Sequence, residues 1–317
     1  MAKNSNLRAA KAAKNDEFYT QRTDIEKEMD NYKDFFNGKV VYCNCDDARE
    51  SNFFKYFSSR FEELGLKKLI ATGYKAEGKG VVLIYEGDEN GNHEVEDGEI
   101  VVRQLEGSGD FRSEECIEFL KEADVVVTNP PFSLFREYVK QLMDYGKKFL
   151  IIGSMNAITY KEIFPYIKSD ELWLGNQNVK EFRSPNGEIK KFGNILWYTN
   201  IQHKKRNTPI DLYKRYSNEY PKYDNYDAIE VSKVSDIPMD YDGVMGVPIT
   251  FLDKYCPEQF EIIGGFNGYK ESDEANGLLC GTLTEYIDKN GKVKTWTGPT
   301  INKKTCYYRL LIRKRNA

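Results

Sequence analysis

Histidine is nearly missing from this chain of 317 residues, which contains two, and its six cysteines, at 43, 45, 116, 256, 280 and 306, include no CxxC pair. With only His93 and His203 to add to those thiols, the nitrogen and sulfur ligands of a zinc site are too few, and no metal is expected. Cys43-Asn44-Cys45 alternates along a strand-like segment and reads as reduced, buried sulfur. Long apolar runs are also lacking. "VVLIY" at Val81 to Tyr85 and "FLIIG" at Phe149 to Gly153 fall far short of the ~20 residues that cross a bilayer. The opening "MAKNSNLRAAKAAK" has no apolar stretch of the kind that directs secretion. The expectation is a cytoplasmic protein with no membrane partner.

What is present is an ordinary water-soluble composition, 40% hydrophobic and 30% charged, long enough for a full α/β core with a smaller attachment. The net charge of −4 argues against a polyanionic partner until it is resolved along the chain. Glu86 to Glu99 holds seven acids and no base. Met1 to Asn15 carries Lys3, Arg8, Lys11 and Lys14 with no acid, and Asn302 to Ala317 carries Lys303, Lys304, Arg309, Arg313, Lys314 and Arg315 with none. A third basic stretch, Arg183 to Lys222, includes Lys204-Lys205-Arg206. Segregation of this kind suits a polyanion held on one side, and equally three solvated surfaces.

The first two hundred residues repeat a strand, a turn and a helix. "KVVYCNC" reads as a strand, followed by a helix with Phe53, Phe57, Phe61 and Leu64 on one stripe and a stop at Gly65. "KKLIATG", "EIVVRQL", "ADVVVT" and "KKFLIIG" read as four more strands; Ser113 and Ser133 read as caps of the intervening helices, with Gly146 ending the second. "EGDENGNHEVEDG" reads as a hairpin tip or mobile loop. Such alternation predicts an α/β fold with a doubly wound, mostly parallel, Rossmann-like sheet whose ligands lie beyond the carboxyl ends of its strands. After about Thr199 the rhythm lapses into tyrosine, proline and charge, which places a domain at 1–200 and a smaller region at 201–317.

At the end of the fourth strand stand Asn129, Pro130, Pro131 and Phe132. The prolines stiffen the backbone and remove two N–H donors, so what remains is a set of acceptors. An exocyclic amine can give one hydrogen to the Asn129 side-chain oxygen and the other to the Pro130 carbonyl. Its lone pair is then aimed out of the ring plane at an electrophile, while Phe132 offers a flat face to the ring. The plain alternative is a Pro-Pro turn whose asparagine satisfies nearby backbone and whose phenylalanine enters the core.

The tetrapeptide resembles the (Asp/Asn/Ser)-Pro-Pro-(Tyr/Phe) motif of S-adenosylmethionine-dependent amino methyltransferases, which act on adenine N6, cytosine N4 or protein glutamine. Further blocks, in order "NDEFYTQ", "YCNCDD", "GSGDFRS", "TNPPFSLFREY", "ITYKEIF", "LWYTN", "YPKYDNYDAI" and "YDGVMGVPITFLDKYCPEQFEII", are similar to the EcoRI-type modification methyltransferases of DNA adenine. No block falls in Lys75 to Val95, Lys180 to Lys191 or Asn267 to Pro299.

The resemblance implies that Asn129 to Phe132 hold the target adenine, flipped out of double-stranded DNA, and that S-adenosylmethionine is the cofactor. Phe18, Tyr19 and Thr20, in an N-terminal block at 15–21, would embrace its methionine end, Asp46 and Asp47 would meet it at the first strand, and Asp110 with Phe111 would take its adenine moiety. Trp197 falls in a block associated with the flipped base, and 201–317 becomes the target-recognition region, with Lys204, Lys205, Arg206, Arg309 and Arg313 as phosphate contacts. A restriction endonuclease acting on the same site is the protein partner the resemblance suggests. Cytosine N4 or protein glutamine methylation, and an inactive nucleic-acid-binding relative, are the alternatives; cytosine C5 chemistry is not, since the Pro-Cys nucleophile it needs is absent and Cys256-Pro257 reverses the order. One departure is that "CNCDDARES" has no glycine where most methyltransferases place a glycine-rich loop, which leaves Asp46 and Asp47 as candidate helix caps instead.

Overall fold

The computed structural model describes residues 19–88, 90–92, 94–183 and 188–315, with the side chains of Tyr19 and Asp46 outside the description. Phe18 and the basic stretch Met1 to Asn15 therefore lie outside the described residues. The chain forms two compact units. One holds the residues up to Met155 with Leu174–Ile201, and the other holds Asn156–Trp173 with Gln202–Ala317. The sequence placed a single boundary at 200; the structure assigns Asn156–Trp173 to the second unit as well. There the short helix Phe164–Lys168 sets Phe164 edge-on to Tyr308, at 6.2 Å between ring centroids, and Lys168 donates to the Glu274 carbonyl at 2.5 Å.

The first unit is built on a nine-stranded sheet. Its centre is four parallel strands in the order β3 (Lys68–Gly73), β2 (Val40–Asp46), β6 (Val125–Thr128) and β7 (Lys148–Ser154). All of β6 is buried, as expected of a strand covered on both faces. Beyond β3 lie β4 (Val81–Tyr85) and β5 (Ile100–Gln104), both antiparallel. The sequence reading made "EIVVRQL" one more strand of the parallel alternation. It is instead an exposed edge strand, because the acidic segment after Tyr85 closes a hairpin, and a connection lacking a crossover can join only antiparallel neighbours. Beyond β7 come β9 (Ile189–Thr199), β8 (Trp173–Arg183) and the two-residue β1 (Tyr19–Thr20).

Ser51 caps helix α2 (Asn52–Ser59) by accepting from Phe53 N–H, and the buried stripe of Phe53, Phe57, Phe61 and Leu64 continues through a break at Arg60 into α3 (Phe61–Leu64) before left-handed Gly65 stops it. Ser113 caps α4 (Glu114–Glu122) through Cys116 N–H. Ser133 does not cap α5 (Phe135–Asp144). The two prolines set a turn in which Leu134 N–H bonds the Pro131 carbonyl at 2.9 Å, so the helix starts later and Leu134 takes the cap position without a side-chain bond. Helix α1 (Arg22–Met29) is fastened by buried Glu28, which accepts from the N–H groups of Asn176 and Gln177 at 2.8 and 2.7 Å. A side chain at Gly175 would run into that carboxylate, with Cβ 2.4 Å from Glu28 Oε1. Among the described residues no helix is long and apolar enough to cross a membrane.

The second unit carries a five-stranded sheet in the order β10 (Ile229–Glu230), β11 (Met245–Val247), β18 (Arg309–Lys314), β12 (Phe260–Phe266) and β13 (Leu278–Leu279). Two small hairpins complete it: β14 (Thr284–Ile287) with β15 (Val293–Trp296), and β16 (Thr300–Ile301) with β17 (Lys304–Thr305).

Candidate active site

The chain runs from β2 out to β3 and later returns to β6 on the other side of β2, so the carboxyl ends of β2 and β6 flank a point where strand order reverses. Open α/β sheets bind ligands at such points. β2 ends in Asn44, Cys45 and Asp46; β6 ends in Thr128 and runs directly into Asn129. The two ends are stitched together, because Thr128 donates its hydroxyl to the Asn44 carbonyl and Tyr138 of α5 donates its hydroxyl to Asn44 Oδ1. Asn129 is 7% exposed, Pro130 is buried, and Phe132 is half-buried, edge-on to Phe182 at 6.5 Å.

Cys45 has φ +67°, a left-handed conformation rare for a residue with a side chain. The end of β2, where its register against β3 shifts between Cys43 and Asp46, therefore has a backbone a glycine would provide, although the sequence offers none. Asp47 accepts the N–H groups of Arg49 and Glu50 at 2.9 and 3.2 Å, so its Oδ1 caps the turn before α2. Of Asp46 only the backbone, as the last residue of β2, is described.

Asp110 and Phe111 come to the same place from another direction. Gly109, at φ +81°, packs so closely on the end of β3 that a Cβ would lie 2.4 Å from the Gly73 carbonyl oxygen, and one at Gly80 would lie 2.6 Å from the same atom. These close approaches hold the 107–111 turn against β3 and β4. Phe111 is buried edge-on to Tyr138, with ring centroids 5.0 Å apart, and Gln141 donates to its carbonyl at 3.2 Å. Arg112 grips Asp110 at 2.8 and 2.6 Å, and that guanidinium holds the Asp110 carboxyl below the usual range. A groove of about 450 Å³ opens beside this turn, walled by Asp47, Gly73, Tyr74, Lys75, Lys79 and Gly80.

The N-terminal block reaches the site along the sheet. Thr20 pairs in register with Phe182, the ring that Phe132 meets, and Asn52 at the start of α2 donates to the Thr20 carbonyl at 2.7 Å. Tyr19 contributes backbone to that pairing, opposite Arg183. Tyr138, Asn44 and Asn52 were missed in the sequence, yet Tyr138 ties three motif blocks together. Its signal was present: it ends the "TNPPFSLFREY" block on the buried face of α5. Burial pushes its phenol well up, so it remains a proton donor.

Trp197 is placed in the core. Its indole is 0% exposed and edge-on to Phe53 at 6.0 Å, the plain core placement. Of the five cations expected to meet phosphate in the second unit, four have carboxylate partners. Arg206, 6% exposed, pairs with Asp170 and lies 4.0 Å over the Trp173 ring; Arg309 forks onto buried Glu230 at 2.8 to 3.1 Å. Lys205 meets Asp253 at 2.5 Å and Arg313 meets Glu261 at 2.9 Å, which leaves exposed Lys204 as the one of the five without an ion pair among the described residues.

A parallel-centred sheet with an acceptor-rich tetrapeptide at its switch point defines an amino-group methyltransferase. Residues 6–315 match the family described as adenine-specific methyltransferase EcoRI, and the chain belongs to that family. It is 50% identical to the Type II methyltransferase M.EcoRI of Escherichia coli, over 88% of this chain and 94% of that protein. It is 41% identical to M.MpnI of Mycoplasma pneumoniae, over 80% and 83%, and 36% identical to M.MgeORF184P of Mycoplasma genitalium, over 96% and 98%, both likewise Type II methyltransferases.

Proposed function

We propose that this adenine-specific methyltransferase acts on N6 of an adenine extruded from duplex DNA, with S-adenosylmethionine as methyl donor, as the modification arm of a restriction–modification system. The observation that carries the reading is the junction of Asn129-Pro130-Pro131-Phe132 with the end of β2 through Thr128, Asn44 and Tyr138.

The residues around the groove fit S-adenosylmethionine. Close packing at Gly80 and Gly109 fixes the turn that carries Asp110, which offers a carboxylate to an amine, and Phe111 beside it. Thr20 and Asp47 join them, and the family resemblance assigns the same role to Phe18, Tyr19 and Asp46. When bound, this cofactor supplies an electrophilic methyl carbon.

The chain's own groups hold and aim. Extrusion of the base costs a few kcal/mol of unstacking, which the pocket must offset. The Asn129 side-chain oxygen and the Pro130 carbonyl accept the two N6 hydrogens, drawing the lone pair out of conjugation, and the half-exposed Phe132 ring supports the base. Both acceptors are neutral, so they stabilise positive charge growing on N6, and the surplus proton passes from N6 to water after transfer. Asn129→Ala is expected to lower methylation about 10²- to 10³-fold, by analogy with loss of one charge-stabilising group, while calorimetry still detects S-adenosylmethionine binding. Near-normal turnover in that variant overturns the scheme, and N4-methylcytosine rather than N6-methyladenine in nucleoside mass spectrometry overturns the choice of base.

A further inference from the structure

The β14–β15 hairpin is a two-stranded ribbon whose outer face is exposed. Leu283, Ile287 and Val293 are 67%, 54% and 63% exposed, Ile287 and Val293 lie directly across the two strands, and Glu285 stands opposite Thr295 on the same face. Only the other face is anchored, where the Trp296 ring lies over Gly268 so closely that a Cβ there would sit 2.1 Å from it. Isolated two-stranded ribbons are marginal in water, and an aliphatic face turned to solvent adds nothing to folding.

The rim of this face is basic. Lys289 and Lys292 at the ribbon tip, and Lys303 and Lys304 on the next hairpin, are exposed and have no ion pair among the described residues, unlike Lys205, Arg206, Arg309 and Arg313. The two hairpins are joined, since Ile287 N–H bonds the Lys303 carbonyl at 3.1 Å. The second hairpin turns on Asn302 and Lys303, both left-handed at φ +49° and +59°, with Asp224 accepting their N–H groups at 3.0 and 2.9 Å. A two-residue turn of this hand favours glycine at its second position. A lysine kept there at a backbone cost implies a use for its side chain.

We propose that the β14–β15 ribbon enters the major groove of the substrate DNA and reads bases there, with Lys303 and Lys304 seated on phosphate. The inference rests on the DNA reading given above. The major groove admits a two-stranded ribbon, aliphatic side chains match thymine methyls, and a carboxylate beside a hydroxyl accepts from or donates to base edges. Phosphate contacts set position while the central face specifies. An apolar centre ringed by unpaired lysines matches that division, whereas a second copy of this chain, also lysine-rimmed, would repel itself.

The test uses the full chain. The methylated motif of the wild type is first read by single-molecule sequencing of treated DNA. Ile287→Ser with Val293→Ser is then expected to reduce the preference for that motif over single-base-pair mismatches about 10- to 100-fold, with S-adenosylmethionine affinity unchanged. Lys303→Gly is expected to hold or raise Tm while weakening binding to all duplexes alike and lowering the salt slope by about one. Unchanged discrimination and salt slope in both variants overturn the proposal, as does a ribbon variant that alters only self-association in sedimentation. A wild type that leaves DNA adenine unmodified overturns the DNA reading itself.

Discussion

In the sheet unit, the candidate chemical residues sit where parallel strands stop, and in the second unit four of the five cations that looked functional are held by carboxylates of the fold. Thr128, Asn129 and Asn44 lie at or just beyond strand ends, where Thr128 and Tyr138 tie the end of β6 and helix α5 to the end of β2. Arg206 and Arg309 carry the charge a DNA contact needs, yet each is matched by a carboxylate and largely shielded from water. The contrast teaches that a basic stretch in sequence is evidence about charge and not about direction. What identifies a phosphate contact is a cation with no carboxylate beside it, and Lys303 and Lys304 meet that condition where Arg309, five residues on, does not.

The sharpest way to break this contrast is at Glu230. It receives Arg309 and the Tyr223 hydroxyl, and burial together with the neighbouring carboxylate pushes the Tyr223 phenol well up, so the hydroxyl stays a donor. Glu230→Ala leaves a shielded guanidinium and a buried hydroxyl unmatched, and is expected to destabilise the protein by about 3–5 kcal/mol in urea titration. Were Arg309 a phosphate contact, Arg309→Ala would weaken DNA binding and leave stability alone.

The same difference explains what could be read in advance. The parallel strands were legible because burial on both faces makes continuous apolar runs, and the tetrapeptide was legible because two prolines after such a run are costly unless they are used. The edge strand β5 was placed wrongly because its apolar residues suggest a core strand, while its position depends on the hairpin before it. Trp197 was unreadable for a related reason: its neighbours on β9 are apolar on both faces, so periodicity could not say which way the indole turned. The second unit was opaque because its strands are short and its ion pairs join residues far apart in sequence, such as Glu230 with Arg309, which no local pattern announces. The left-handed backbone at Cys45 was equally hidden, since nothing in a cysteine signals positive φ.

A finer test of whether strand-end chemistry is held by local rules lies in the two serines expected to cap helices. Ser113 accepts from Cys116 N–H at 3.3 Å, so Ser113→Ala should lower stability by about 1 kcal/mol. Ser133 is exposed and makes no cap, so Ser133→Ala should stay within about 0.5 kcal/mol of the parent. Equal losses in thermal denaturation would restore Ser133 as a cap and move the start of α5 back toward the prolines.

The smallest effect concerns Asp110, a carboxylate in the sheet unit's crevice that has a cation in its grip. Arg112 is half-exposed, so its removal in Arg112→Ala should cost only about 0.5 kcal/mol near neutrality. The dependence on pH is more telling than the size. The guanidinium depresses the Asp110 carboxyl in the folded state, so its contribution is complete above the unfolded value of about 4 and is lost as pH falls through the depressed one. The stability gap between parent and variant should therefore be constant from neutrality down to about pH 4 and close below it. The N–H of residue 112 also bonds Asp110, at 2.9 Å, and survives the substitution, so the carboxyl should rise only part of the way toward its ordinary value. A gap that persists undiminished at pH 2 would mean that Arg112 stabilises the fold by packing on the Phe111 ring and not through the Asp110 charge.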